Sequence, residues 1–124
     1  MKKVLIIDDE KDFCFLIKDT LEITGKYKVI VATDGKNGIK AALEHSPDLI
    51  LLDIMMPVID GFKVLELIKG NDKIQSIPVL MLTAKGDDES KVKAAGLYDE
   101  DYLVKPIEML TLRSKIERAL SKKM

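Results

Sequence analysis

Apolar residues in this chain follow two alternating patterns. The first is a short unbroken run, found at 4–7, 29–32, 49–52, 79–82 and, more weakly, 102–104. Runs of this length, rich in Val, Ile and Leu, fit strands covered on both faces. The second pattern has helical spacing. Phe13, Leu16, Ile17 and Leu21 recur at three and four residues, with Gly25 as a stop. Ile39, Ala42 and Leu43 do the same ahead of Ser46-Pro47, and Val64, Leu65 and Ile68 lie between Asp60-Gly61 and Gly70-Asn71. Val92, Ala94 and Ala95 mark a short, weak helix between Gly86 and Gly96. Met109, Leu112, Ile116, Ala119 and Leu120 give the clearest stripe, opened by Pro106. The order βαβαβαβαβα predicts an α/β fold, a doubly wound sheet of five parallel strands with right-handed crossovers and helices on both faces.

Composition narrows the function classes. The chain has 124 residues, the size of one domain spanning 1–124, with no internal repeat and no linker-like tract. Its 20 Lys+Arg nearly balance 21 Asp+Glu, so charge makes no case for nucleic acid or an anionic membrane as the main partner. The one cysteine, Cys14, excludes an intrachain disulfide and a cysteine-based zinc site. No apolar run approaches the ~20 residues that span a bilayer, and the apolar stretch at 4–7 is too short for a signal peptide. A cytoplasmic location is expected.

Open parallel sheets bind ligands beyond the carboxyl ends of their strands, so the residues that follow each apolar run are the candidates. Asp8, Asp9 and Glu10 follow the first run, Asp53 the third, Thr83 with Ala84 the fourth, and Lys105 with Pro106 the fifth. Thr33-Asp34-Gly35 after the second reads as an ordinary turn. Singly, each candidate has a plain explanation: a solvated loop acid, a helix cap, a lysine laying its stem on the core. Together they place acid, acid, hydroxyl and amine at one edge. Crowded carboxylates repel one another and raise one another's pKa values, and a divalent cation removes that conflict. Hard oxygen ligands with room for water favour Mg²⁺. Three aspartates, Mg²⁺ and the Lys105 ammonium then sum to zero formal charge, a setting in which a carboxylate can accept a phosphoryl group. The metal, Lys105 and the Thr83 hydroxyl would support its oxygens. Asp53 is the expected nucleophile.

These residues resemble the receiver domain of two-component response regulators over essentially the whole chain. The resemblance rests on Val4-Leu5-Ile6-Ile7-Asp8-Asp9-Glu10, on 48–57 ending in Asp53-Ile54-Met55-Met56-Pro57 with Asp60-Gly61, on Val79-Leu80-Met81-Leu82-Thr83-Ala84 and on Tyr102-Leu103-Val104-Lys105-Pro106. From Asp9 to Asp53, Asp53 to Thr83 and Thr83 to Lys105 the spacings are 44, 30 and 22 residues. It implies a flavodoxin-like (βα)5 fold with strand order 2-1-3-4-5. It implies phosphorylation of Asp53 by a sensor histidine kinase or a phosphotransfer protein in a phosphorelay. Asp9, Asp53 and the Met55 carbonyl would bind Mg²⁺ directly and Asp8 through a water. Lys105 would pair with Asp53, then with the phosphoryl group. Thr83 would swing toward that group with the Ala84 N–H assisting, and Tyr102 would rotate inward as the switch aromatic. The Lys105–Pro106 bond would be cis. The output face would comprise the fourth predicted helix, the fifth strand and the fifth helix, with Lys91 and Tyr102, and would act on a downstream protein or an output domain not contained in the chain. The protein would catalyse only its own phosphorylation and dephosphorylation, and is expected not to be a conventional enzyme.

One segment departs from that pattern: Gly96 stands two residues earlier than the family's glycine relative to Tyr102, so the fourth helix is expected to be short, with Tyr98 either a partner contact or a loop aromatic. Other classes fit less well. A haloacid-dehalogenase-type phosphatase needs Asp-x-Asp after the first strand and a capping insertion, and 8–11 lacks the former. A flavin or nucleotide module needs a Gly- or Ser/Thr-rich phosphate loop there. A docking scaffold would have no use for the acid–acid–Thr–Lys set. His45 reads as a helix-terminal surface residue, Cys14 as a small core residue, and Met55 and Met56 side chains as filler. Arg113, Lys115, Arg118, Lys122 and Lys123 read as a solvated helix face.

Overall fold

The computed structural model describes residues 1–84 and 101–122. Strands β1 (Lys2–Ile7), β2 (Tyr27–Ala32), β3 (Leu49–Asp53), β4 (Val79–Thr83) and β5 (Asp101–Val104) form one sheet in the order β2-β1-β3-β4-β5, all parallel. Helices α1 (Lys11–Glu22), α2 (Gly35–His45), α3 (Gly61–Lys69) and α4 (Met109–Ser121) accompany it. The expected order 2-1-3-4-5 and the doubly wound α/β class are therefore observed. The weak helix expected around Val92, along with Lys91, Gly96 and Tyr98, lies outside the described residues.

Strand alternation divides the core in two. Leu5, Ile7, Ile50, Leu52, Val79 and Met81 face α2 and α3, where they meet Ala42, Val64, Leu65 and Ile68. Val4, Ile6, Leu49, Leu51, Leu80, Leu82 and Leu103 face α1 and α4, packing with Cys14, Ile17, Leu21, Leu112 and Ile116. Because both faces are covered, β3 and β4 are buried at every position, which is why they read as unbroken apolar runs.

Three local expectations are corrected. The buried stripe of α1 is Cys14, Ile17 and Leu21, whereas Leu16 is 59% exposed: Cys14 supplies the inward position one turn before Ile17. Asp34 does more than turn the chain, since its carboxylate caps α2 by accepting the Asn37 N–H at 2.7 Å. Pro106 does not open the last helix. Glu108 caps α4 instead, accepting the N–H groups of Leu110 and Thr111 at 3.0 and 2.8 Å.

Candidate functional site

The hydrogen-bond ladder runs past the strand ends and fixes the residues that follow them. The Asp8 N–H donates to the Ala32 carbonyl at 3.1 Å, the Ile54 N–H to Leu82 at 3.0 Å and the Lys105 N–H to Thr83 at 2.7 Å. Alternation sets where the side chains go. Asp8 continues the parity of Val4 and Ile6, Asp53 that of Leu49 and Leu51, and Lys105 that of Leu103, all on the α1–α4 side. Asp8, Asp9 and Asp53 consequently each bring a carboxylate oxygen within 4.8 Å of the others. Asp8 and Asp53 are buried and Asp9 is exposed, so the cluster opens to water on one side. The Met55 N–H favours the charged form of the Asp53 carboxylate.

Lys105 enters this cluster from β5. Its ammonium donates to Asp8 Oδ2 at 2.9 Å and to Glu10 Oε1 at 3.1 Å. Asp53 Oδ1 is 3.6 Å away, an ion pair but too long for a hydrogen bond. The pairing implied with Asp53 is thus present, yet secondary to Asp8. The Phe13 ring lies beneath the ammonium, 4.6 Å from nitrogen to centroid.

The electrostatics follow from crowding. Burial, then the Asp8 charge, pushes Asp53 up to about 7 from 3.8; Lys105 opposes this and Asp9 adds to it. Burial pulls Lys105 down, but its bonds to Asp8 and Glu10 and the Asp53 charge outweigh that and hold it above its ordinary value, fully charged. Burial and the Asp8 charge push the Cys14 thiol up to about 12. It stays protonated and donates to the Asp8 carbonyl at 3.3 Å. Among the described residues the donors grouped at the site are hard carboxylate oxygens, with water access beside Asp9, and that set fits Mg²⁺.

Thr83 is buried and continues the opposite parity, that of Val79 and Met81. Its hydroxyl donates to the carbonyl of neighbouring Ala84 at 3.1 Å. Tyr102 is half-buried against the α2–α3 core. Lys115 lies 5.6 Å from its ring centroid and donates to both the Tyr102 carbonyl and Asp101 at 2.9 Å. Lys115 is therefore a tie between α4 and β5, not simply part of a solvated face. Burial raises Asp101, but the Lys115 and Tyr102 N–H bonds outweigh it and hold that carboxyl low. Met56 is buried as expected, whereas the Met55 side chain is 61% exposed and fills nothing. His45 ends α2 with its side chain exposed, and the Lys105–Pro106 bond is cis.

Two residues carry more here than their sequence position suggested. Glu10 was visible as a third acid without a role. Gly61, legible as a helix start and as part of the family resemblance but with no role at the site, donates its N–H to the Ile54 carbonyl at 2.8 Å and lies against the backbone of Asp53.

Comparison with known proteins assigns the class. The model of the response regulator receiver domain matches residues 4–117. The chain belongs to that family. It is 38% identical over 97% of its length to the DNA-binding dual master transcriptional regulator RpaA of Synechocystis sp., of which it covers 49%. It is 33% identical over 98% of its length to the sensor histidine kinase TmoS of Ectopseudomonas mendocina, covering 12% of that protein. The solved structure of chemotaxis protein CheY4 from Vibrio cholerae superimposes with a TM-score of 0.85 at 30% identity, covering 96% of this chain and 98% of that one. The chain spans about half the length of several curated regulators it matches. Receiver domains are signalling domains and not conventional enzymes. Among the described residues, no helix is long and apolar enough to cross a membrane.

Proposed function

We propose that this chain is a phosphoacceptor switch that takes a phosphoryl group onto Asp53 in a Mg²⁺-dependent reaction. The observation that carries this reading is the meeting of Asp8, Asp9 and Asp53 within 4.8 Å, with the Lys105 ammonium 3.6 Å from Asp53. Asp9, Asp53 and the Met55 carbonyl would hold Mg²⁺ directly and Asp8 through water; bound there, the cation neutralises the carboxylates and the incoming phosphoryl oxygens. An Asp53 oxygen attacks phosphorus in line. The bond from phosphorus to the donor (imidazole nitrogen of a kinase or phosphotransfer protein, or oxygen of a small acyl phosphate) breaks, and the leaving group keeps the electron pair. Lys105 neutralises charge on the transferred group. The Thr83 hydroxyl gives up the Ala84 carbonyl and donates to a phosphoryl oxygen, with the Ala84 N–H beside it. That move vacates space for Tyr102 to rotate inward, biasing a pre-existing equilibrium of the face it lies on. A downstream protein or an attached output domain reads the change. The chain's catalysis is confined to gaining and losing its own phosphoryl group.

The test is direct. Incubated with Mg²⁺ and a small acyl phosphate and weighed intact, the protein should gain one phosphoryl group, and a chelator should abolish the gain. Labelling that persists without divalent metal would refute the metal-dependent site. Lys105→Ala should retain part of the labelling but fail to transmit it. Amide shifts on phosphorylation should reach β5 in the wild type and stay near Asp53 in the variant; shifts reaching β5 equally in both would remove Lys105 from the relay.

A further inference from the structure

Resting on that phosphoacceptor reading, we propose that Glu10 is a positioning residue that latches the Lys105 ammonium on the Asp8 side of the site and releases it toward Asp53 only as the phosphoryl group arrives. The helix termini supply the first argument. Glu10 is the N-cap of α1, yet its carboxylate makes no bond to the helix's free N–H groups. Glu108, in the same position on α4, caps with both carboxylate oxygens. Glu10 forgoes that bond and reaches Lys105 at 3.1 Å.

Distances around the ammonium give the second. It lies 2.9 Å from Asp8, 3.1 Å from Glu10 and 3.6 Å from Asp53, so the two bonded acids hold it off the nucleophile. Phe13, 4.6 Å from the nitrogen, supports this position from below. The third argument is freedom of movement. The Glu10 backbone is tied down, its N–H on Asp8 Oδ1 at 2.9 Å, while its side chain is 64% exposed. A tethered arm with a solvated head can let go without leaving a buried charge unpaired. Pairing of the ammonium with a phosphoryl group on Asp53 draws it toward the nucleophile, 3.6 Å away, and off the Glu10 carboxylate at 3.1 Å.

Phosphoryl gain from a small acyl phosphate at saturating Mg²⁺ should be followed for the wild type, Glu10→Ala and Glu10→Asp. Both variants should label about threefold to fivefold faster, the worth of one partly exposed ion pair. Glu10→Asp discriminates, because it keeps the negative charge but is one methylene too short to hold the ammonium. The Lys105 ammonium signal in cold ¹⁵N spectra gives a readout that a merely structural role would not move: sharp in the metal-free wild type, broadened in both variants. Faster labelling by Glu10→Ala with wild-type behaviour in Glu10→Asp would mean general repulsion of an anionic donor and overturn the latch. Wild-type rates in both variants would overturn it too. A wild type that takes no phosphoryl group at all would instead bring down the phosphoacceptor reading, and the latch with it.

Discussion

Asp53→Asn should take up no phosphoryl group, yet unfold less readily than the wild type in metal-free buffer at pH 8. The reason is the free energy the fold gives up to hold this carboxylate. Asp53 is 5% exposed beside two other aspartates, and its pKa rises from 3.8 to about 7. Between those values the folded protein keeps a proton that the unfolded chain has released, so stability falls as pH rises through that window. Above pH 7 the whole penalty is present, on the order of 4 kcal/mol, since each tenfold change in proton affinity between the folded and unfolded chain is worth about 1.36 kcal/mol. Asparagine has no charge to bury. Its stabilising effect should therefore be full at pH 8, shrink through pH 6 and vanish below pH 4, as read by chemical denaturation in the presence of chelator. Mg²⁺ should stabilise the wild type at pH 8 and leave the variant nearly unmoved. An advantage of equal size at pH 4 and pH 8 would mean that packing, not ionisation, separates the two proteins, and the crowded-carboxylate account would be lost.

Gly61→Ala should be the most damaging small substitution near the site. A Cβ there would overlap the Asp53 carbonyl and come within 2.6 Å of the Ile54 Cα. Both are backbone atoms at the end of a fully buried strand, so neither can turn aside as a side chain would. The start of α3, or the end of β3, has to move, and the Asp53 carboxylate moves with it. We expect a loss of about 3 kcal/mol, within the range for overpacking a closed site. In the fraction that stays folded, phosphoryl uptake should drop roughly tenfold to a hundredfold, as for displacement of a reacting group by an ångström. Gly70→Ala is the control: its nearest neighbour outside the adjoining residues is the Glu66 carbonyl at 3.3 Å, at an exposed helix end. Wild-type melting and labelling in Gly61→Ala would show that the strand end yields freely and that this glycine has no part in placing Asp53.

The corrections share one cause. Leu16 and Cys14 both satisfy helical spacing, and only the docking angle of α1 on the sheet decides that the thiol goes in and the leucine stays out. The Met55 side chain looked like packing material because its neighbours are apolar, but the loop after β3 turns it to solvent. Lys115 sits among basic residues on a helix that reads as solvated, and it becomes a tie to Asp101 and Tyr102 only because α4 crosses β5 at that height.

The alternation of strands and helices is written in the order of residues alone, because a strand covered on both faces must be apolar at every position and a helix covered on one face only every third or fourth. So is the set of residues that crowns the sheet, because a side chain that directly follows a buried strand has nowhere else to be. The ranking of partners within the site is not written there and needed the folded chain. Lys105 prefers Asp8 and Glu10 to Asp53, Phe13 lies beneath the ammonium, and Gly61 touches the Asp53 backbone. The Lys105 ranking is a difference of less than an ångström, and all three join groups brought together by the fold at distances that spacing along a chain does not carry.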